Sequence, residues 1–85
     1  MREFSYTIKD EIGIHARPAG LLAKAAKAYS SKITLTANGK TVEATKLMAV
    51  MGLGAKKGTE VVVQADGADE DTAIAKMEEF MNANL

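Results

Sequence analysis

The sequence predicts an α+β fold in which helices cover one face of a four-stranded sheet. Four segments alternate apolar and polar side chains with the two-residue period of a strand, and three others carry the apolar pattern and end signals of helices. Their order is strand, helix, strand, strand, helix, strand, helix. Asn38-Gly39 predicts a two-residue hairpin, because both residues accept a positive φ, so the second and third strands should be antiparallel. The pattern alone leaves the rest of the strand order open.

The four strands are predicted from this alternation of side chains. The first runs from Arg2 to Ile8, with its aromatic and aliphatic residues on one face and its polar residues on the other. The second covers residues 32–37, and the third follows the hairpin from Lys40 to Glu43. The fourth covers residues 60–65, and the apolar Val62 on its second face favours a central position in the sheet.

The first helix is expected to begin at Ala16 or Arg17. Proline at position 18 is tolerated there, because its missing N–H would have no intrahelical partner in the first turn. His15 would then lie at or beside the N-cap, and Ser30-Ser31 would end the helix. The three- and four-residue spacing of apolar residues predicts a buried stripe that consists of Pro18, Leu21, Leu22, Ala25 and Tyr29.

The second helix is predicted to be short, with Thr45 as its N-cap and Gly52 or Gly54 as its end. Four large apolar side chains lie within residues 47–51, and a helix of about two turns cannot bury all of them, so some should remain exposed. The last helix is expected to begin at residues 69–71, where three acidic side chains match the positive end of the helix dipole.

Composition bounds the possible functions. A chain with 47% apolar residues and a formal net charge of zero is expected to form one soluble globular domain, residues 1–85, with no bulk electrostatic preference for nucleic acid. The lack of cysteine excludes disulfides and thiolate nucleophiles, and a single histidine argues against a zinc site, so no metal or cofactor is expected. Without a signal peptide or a run long enough to span a bilayer, a cytoplasmic location is the default expectation.

The motif Gly13-Ile14-His15-Ala16-Arg17-Pro18-Ala19 contains the only histidine and the only proline of the chain. It brings a nucleophilic ring, a guanidinium and the positive end of a helix to one place. The free backbone N–H groups of Ala16 and Arg17, together with the guanidinium, could hold a phosphate there. The residues therefore indicate a phosphate site at the start of the first helix.

With these residues in view, the sequence resembles the HPr family, the histidine phosphocarriers of the bacterial sugar phosphotransferase system. The likeness covers the whole chain and is most specific in residues 13–19 and in Leu47-Met48-Ala49-Val50-Met51-Gly52-Leu53-Gly54, followed by Lys57-Gly58. The resemblance implies an open-faced β-sandwich, with an antiparallel sheet in the order 1-4-2-3 and three helices on one face.

The resemblance also implies a function. Enzyme I, charged from phosphoenolpyruvate, would phosphorylate His15 on Nδ1, and the phosphoryl group would pass to enzyme II A domains. Arg17 would be the charge partner of the phosphate. The protein would be a phosphoryl-transfer intermediate rather than an enzyme, and a monomer is expected because it must present one face to several partners.

The same resemblance places the partner surface beside the phosphoryl site. Exposed apolar side chains of the short helix would contribute, with lysines of the first helix at the rim. The residues expected there are Leu47, Met48, Met51, Lys24 and Lys27.

One position departs from the family pattern. In many HPr proteins of Gram-positive bacteria a regulatory kinase phosphorylates a serine just before the Leu/Ile-Met pair, and Lys46 stands there in this chain. No regulatory phosphosite is therefore expected. Two other functions remain open from the sequence: an HPr-like regulatory module that only docks on other proteins, and a carrier for a nitrogen-related branch of the system.

Overall fold

The computed structural model describes all residues, 1–85, and contains four strands and three helices in the predicted order. Element boundaries lie within a residue or two of the expected ones in the strands. The elements are β1 (Arg2–Thr7), α1 (Ala16–Ala26), β2 (Lys32–Ala37), β3 (Lys40–Glu43), α2 (Leu47–Met51), β4 (Glu60–Asp66) and α3 (Glu70–Asn84).

The four strands form one antiparallel sheet in the order β1-β4-β2-β3. Strand β4 is central, with Val63 opposite Phe4 of β1 on one side and opposite Leu35 of β2 on the other. The expectation drawn from Val62 is confirmed, and this residue is half-buried. The hairpin is confirmed as well, since Asn38 has a φ of 52° and Gly39 a φ of 78°.

The hydrophobic core lies between the sheet and the helices and contains 20 buried residues. Strand β4 contributes Val61, Val63 and Ala65, all with 0% exposure, and α3 contributes Met77 and Met81. The strands bury alternate side chains, so the opposite face of the sheet remains open, as the HPr resemblance implied. No helix has the length and apolarity needed to cross a lipid bilayer.

The predicted buried stripe of α1 is wrong in part. Leu21 is 46% exposed, whereas Ala19, Ala23 and Ala26 are buried along with Pro18 and Leu22. The apolar spacing favours burial of the large side chains, but the helix packs against its neighbours through its small ones. The helix also ends at Ala26, four residues before Ser30.

The predicted N-cap of α2 is wrong by one residue. Lys46, not Thr45, has the extended conformation of the N-cap (φ −101°, ψ 96°), and its carbonyl accepts the first intrahelical bond from Val50 N at 2.9 Å. The buried Ala44 donates its N–H to Ile33 O at 2.8 Å and so keeps the chain beside β2 before the helix starts. That tertiary bond overrides the capping preference of threonine.

The C-terminal end of α2 rests on the hairpin between β2 and β3. Asn38 Nδ2 donates to Leu53 O at 3.0 Å and to Gly54 O at 3.3 Å, and Lys40 Nζ donates to Gly52 O at 3.4 Å. The Gly52 carbonyl, at the C-cap, is one that the helix end leaves without an intrahelical partner, whereas the other two belong to the turn that follows the helix. The hairpin therefore holds the C-cap of this short helix and the turn after it.

The start of α3 is tied to the segment before β2. Asp69, at the N-cap position, accepts hydrogen bonds from Ser30 N and Ser31 N, each at 2.9 Å, and a third from Ser31 Oγ. The Ser31 hydroxyl and these two N–H groups hold the pKa of Asp69 down at about 2, because they stabilise the charged carboxylate. The predicted acidic helix start is confirmed, and its carboxylate also makes a long-range tertiary contact.

Candidate functional site

His15 is the N-cap residue of α1, as the sequence predicted. Its backbone is extended (φ −126°, ψ −173°), and its carbonyl accepts a hydrogen bond from Ala19 N at 3.0 Å. Its ring is half-exposed and makes no capping bond to the helix. The N–H groups of Ala16 and Arg17 lie in the first turn, where an α-helix supplies no partner. Donors are therefore available beside an accessible imidazole.

The site is an open depression of about 260 Å³ at the surface. One wall is the start of α1, and the other walls are the loop after β1 and the end of α3. Arg17 is exposed and forms no salt bridge with any carboxylate of the protein. The residues that line the depression are Asp10, His15, Arg17, Pro18, Leu21, Ala83 and Asn84.

The loop before His15 is held by a turn around Asp10. Its Oδ1 accepts from Ile12 N at 2.9 Å and from Gly13 N at 3.3 Å, and Asp10 N donates to Leu85 O at 2.8 Å. An aspartate that binds backbone N–H groups two and three residues ahead forms a local turn. Asp10 was not among the site residues predicted from the sequence, although an aspartate three residues before a glycine is a signal for such a turn.

Gly13 is required by a close approach of two loops. It has a φ of +82°, and a Cβ atom at this position would lie 2.6 Å from Lys56 Cα, so any other residue would force the backbones apart. Ile14 N donates to Ala55 O at 2.9 Å in the same contact. The segment that carries His15 is thus fixed to the loop after α2, which gives the ring a defined place relative to that helix.

A second, more open groove of about 640 Å³ lies between α1 and α2. It brings together four of the five expected partner residues, and the exposed Leu47 (40%) and Met48 (76%) confirm that α2 cannot bury all its apolar side chains. Met51 does not line this groove; it is half-buried against the core. The lining residues are Gly20, Ala23, Lys24, Lys27, Thr45, Lys46, Leu47, Met48 and Ala49.

No group of three or more His, Asp and Glu side chains is arranged to hold a metal ion. The chemical groups at the depression are the imidazole of His15, the guanidinium of Arg17, the carboxylate of Asp10 and the backbone donors at the start of α1. This set suits covalent attachment of an anionic group to the ring and stabilisation of its charge.

Comparison with known proteins agrees with this geometry. Residues 2–83 match the family model PTS-HPr, the PTS HPr component phosphorylation site. The phosphocarrier protein HPr of Mycoplasma capricolum subsp. capricolum is 47% identical over 81 residues, which cover 95% of this chain and 91% of that protein.

Solved structures show the same relationship. The histidine-containing phosphocarrier protein of a Mycoplasma has a TM-score of 0.93 and 45% identity, with 96% of this chain and 93% of that chain covered. HPr-C-His from Thermoanaerobacter tengcongensis has a TM-score of 0.91 and 36% identity, with 98% and 93% covered. The sheet of this protein, β1-β4-β2-β3, confirms the order 1-4-2-3 that the resemblance implied. Because the family model and these relatives cover almost the whole chain, the protein belongs to the HPr family.

Proposed function

We propose that this protein is a phosphocarrier of the phosphotransferase system. Nδ1 of His15 accepts a phosphoryl group from phosphorylated enzyme I and passes it to an enzyme II A domain. The observation that carries the proposal is the position of His15: an accessible imidazole at the N-cap of α1, beside an unpaired Arg17. Family membership supports the same function.

The transfer step needs a neutral imidazole. The lone pair on Nδ1 of His15 forms the new N–P bond while the bond between phosphorus and the donor breaks, and that electron pair returns to the donor atom. The proton on Nε2 stays in place. Negative charge then appears beside the first turn of α1, where the backbone N–H groups of Ala16 and Arg17 and the guanidinium stabilise it.

The openness of the site suits a carrier rather than an enzyme that completes a reaction alone. A shallow depression allows two different partners to approach the same atom in turn. A few donors on one side of the phosphoryl group stabilise it without enclosing it, so that it can leave again. We attribute activation of the donor and acceptor groups to the partner enzymes.

The groove between α1 and α2 supports docking next to the site. Leu47 and Met48 offer apolar surface, and Lys24 and Lys27 stand at its rim. Methionine side chains adapt to differently shaped surfaces, which suits a protein that binds more than one partner. We propose that enzyme I and the enzyme II A domains both contact this groove. Lys46 has no hydroxyl for a regulatory kinase, so no phosphorylation is proposed at that position.

The test is incubation with enzyme I, phosphoenolpyruvate and Mg²⁺, followed by intact mass measurement. We expect a gain of one acid-labile phosphoryl group in the wild-type protein and none in His15→Ala. Lys76→Ala is the matched control, since Lys76 lies on α3 outside both the depression and the groove, and it should be phosphorylated as the wild type is. No gain of mass in the folded wild-type protein would overturn the proposal. Phosphorylation of His15→Ala would show that another residue is the acceptor.

A further inference from the structure

The depression at His15 contains a negative charge that acceptance of a phosphoryl group does not require. Asp10 lines it together with His15 and Arg17 and is half-buried. It forms no salt bridge with any cation of the protein, Arg17 included. The next acidic residue, Glu11, is different: it is paired with Lys57 at 2.6 Å and does not line the depression.

The position of the Asp10 carboxylate is fixed by its local bonds. Oδ1 accepts from the backbone of Ile12 and Gly13, and the backbone N–H of Asp10 is bound to Leu85 O. These bonds hold the side chain in place when charge appears on the imidazole ring. The start of α1 contributes N–H donors and a guanidinium to the depression, and the loop after β1 contributes this carboxylate.

We infer that Asp10 is a positioning and tuning residue that raises the phosphoryl-transfer potential of His15. This inference rests on the proposed function. Phosphorylation adds negative charge to a ring that shares its depression with a fixed carboxylate, and like charges within one depression repel through a medium that only partly screens them. The repulsion opposes the stabilisation from Arg17 and the start of α1. The bound phosphoryl group is kept reactive toward the next acceptor as a result.

The substitution Asp10→Asn tests the charge separately from the turn. The amide oxygen of asparagine can still accept from Ile12 N and Gly13 N, so the turn before His15 is retained while the charge is removed. Glu11→Gln is the matched control, because it makes the same change in net charge one residue away and outside the depression. The measurement is the equilibrium phosphorylated fraction of each variant with enzyme I at a fixed ratio of phosphoenolpyruvate to pyruvate.

We expect the equilibrium constant for phosphorylation to rise about three- to tenfold in Asp10→Asn and to stay at the wild-type value in Glu11→Gln. The difference should shrink when ionic strength is raised to 1 M, where the Debye length is about 3 Å. A purely structural role of the turn would not give this salt dependence. Asp10→Ser provides a second neutral variant whose hydroxyl can accept from the backbone, and its equilibrium should shift in the same direction.

The outcomes separate this inference from the proposed function. An equilibrium in Asp10→Asn and Asp10→Ser equal to that of the wild type, or a shift toward the unphosphorylated form, overturns the role of Asp10 and leaves the carrier function standing. Equal shifts in Asp10→Asn and Glu11→Gln also overturn it, because net charge alone would then be responsible. Failure of the wild type to accept any phosphoryl group would instead remove the proposed function itself.

Discussion

The two long helices of this protein begin in opposite ways. At the start of α3 the protein supplies its own anions: Asp69 at the N-cap position, then Glu70 and Asp71 in the first turn. At the start of α1 there is no acidic residue in the first turn, and the N-cap residue is His15. Neither N-cap side chain bonds to its own helix, so the two starts differ in charge: negative side chains stand at the start of α3, and the start of α1 is left available to an anion from outside.

The contacts of the two helix starts sharpen the difference. Each of the three acidic residues at the start of α3 has a partner: Asp69 binds Ser30 and Ser31, Glu70 pairs with the amino group of Met1 at 2.9 Å, and Asp71 pairs with Arg2 at 3.2 Å. Arg17 in α1 has none. Donors left without internal partners contribute little to folding but are free to bind a ligand. The start of α3 therefore contributes to stability, and the start of α1 is the one available for phosphoryl binding.

Removal of the Arg17 guanidinium should have the largest effect on function. We expect Arg17→Ala to slow phosphoryl transfer from enzyme I by about 10- to 100-fold, the size of a lost hydrogen bond to a charged group. The denaturation midpoint should stay within error, because the exposed Arg17 has no internal partner. Quenched-flow assays measure the transfer rate, and urea titrations measure the denaturation midpoint. A large loss of stability with normal transfer would reverse the assignment of roles at this helix start.

At the start of α3 we expect substitutions to lower stability and to leave phosphoryl transfer unchanged. The pKa of Asp69 is held at about 2, below its ordinary value of 3.8, so its carboxylate stabilises the fold above about pH 4, and that contribution is lost as the pH falls toward 2. The urea midpoint of the wild type should therefore fall over this range, and Asp69→Ala should lower the midpoint at pH 7 by roughly 0.5–1 M.

Asp69→Asn serves as the control for the acid range. Its midpoint should start lower at pH 7 and fall less steeply below pH 4, because the titrating group is gone. Phosphoryl transfer at pH 7 should remain near the wild-type rate in both variants as long as they are folded. An unchanged slope below pH 4 would show that other carboxylates, and not Asp69, cause the acid sensitivity.

An acidic residue placed in the first turn of α1 should make the two helix starts alike and have the smallest effect. Ala16 is exposed and lies at the first helical position, so Ala16→Glu places a carboxylate there. We expect it to raise the free energy of unfolding by about 0.3–1 kcal/mol through the helix dipole. Its carboxylate should also repel the incoming phosphoryl group and slow transfer about three- to tenfold. Ala16→Gln controls for side-chain size, and an equal slowing in that variant would assign the effect to bulk instead of charge.

The sequence predicted those features that depend on local pattern. The start of α1 followed from Pro18, the hairpin from Asn38-Gly39, and the start of α3 from its acidic residues, since each is determined by residues a few positions apart. The sheet order did not follow from the pattern, and only the resemblance to a family implied it.

The features that were missed depend on contacts between distant segments. The N-cap of α2 moved to Lys46 because Ala44 is bonded to Ile33, and the bonds of Asp69 to Ser31 span 38 positions. The burial of Ala19 and Ala23 in place of Leu21 depends on how closely α1 lies on its neighbours. Asp10 was missed at the site for another reason, since its local turn was visible in the sequence but its nearness to His15 was not.

The bonds from the β2–β3 hairpin to the end of α2 have a consequence for molecular recognition. A helix of five residues cannot persist in water by itself, because helix nucleation is unfavourable and so few residues follow it. Asn38 and Lys40 hold the C-cap of α2 and the turn after it, and Val50 anchors the helix in the core. The apolar groove residues are thus preorganised, and a partner does not lose free energy by ordering them. Encounters between carrier and partner can then be rapid and short, with side chains rather than backbone adapting to each surface.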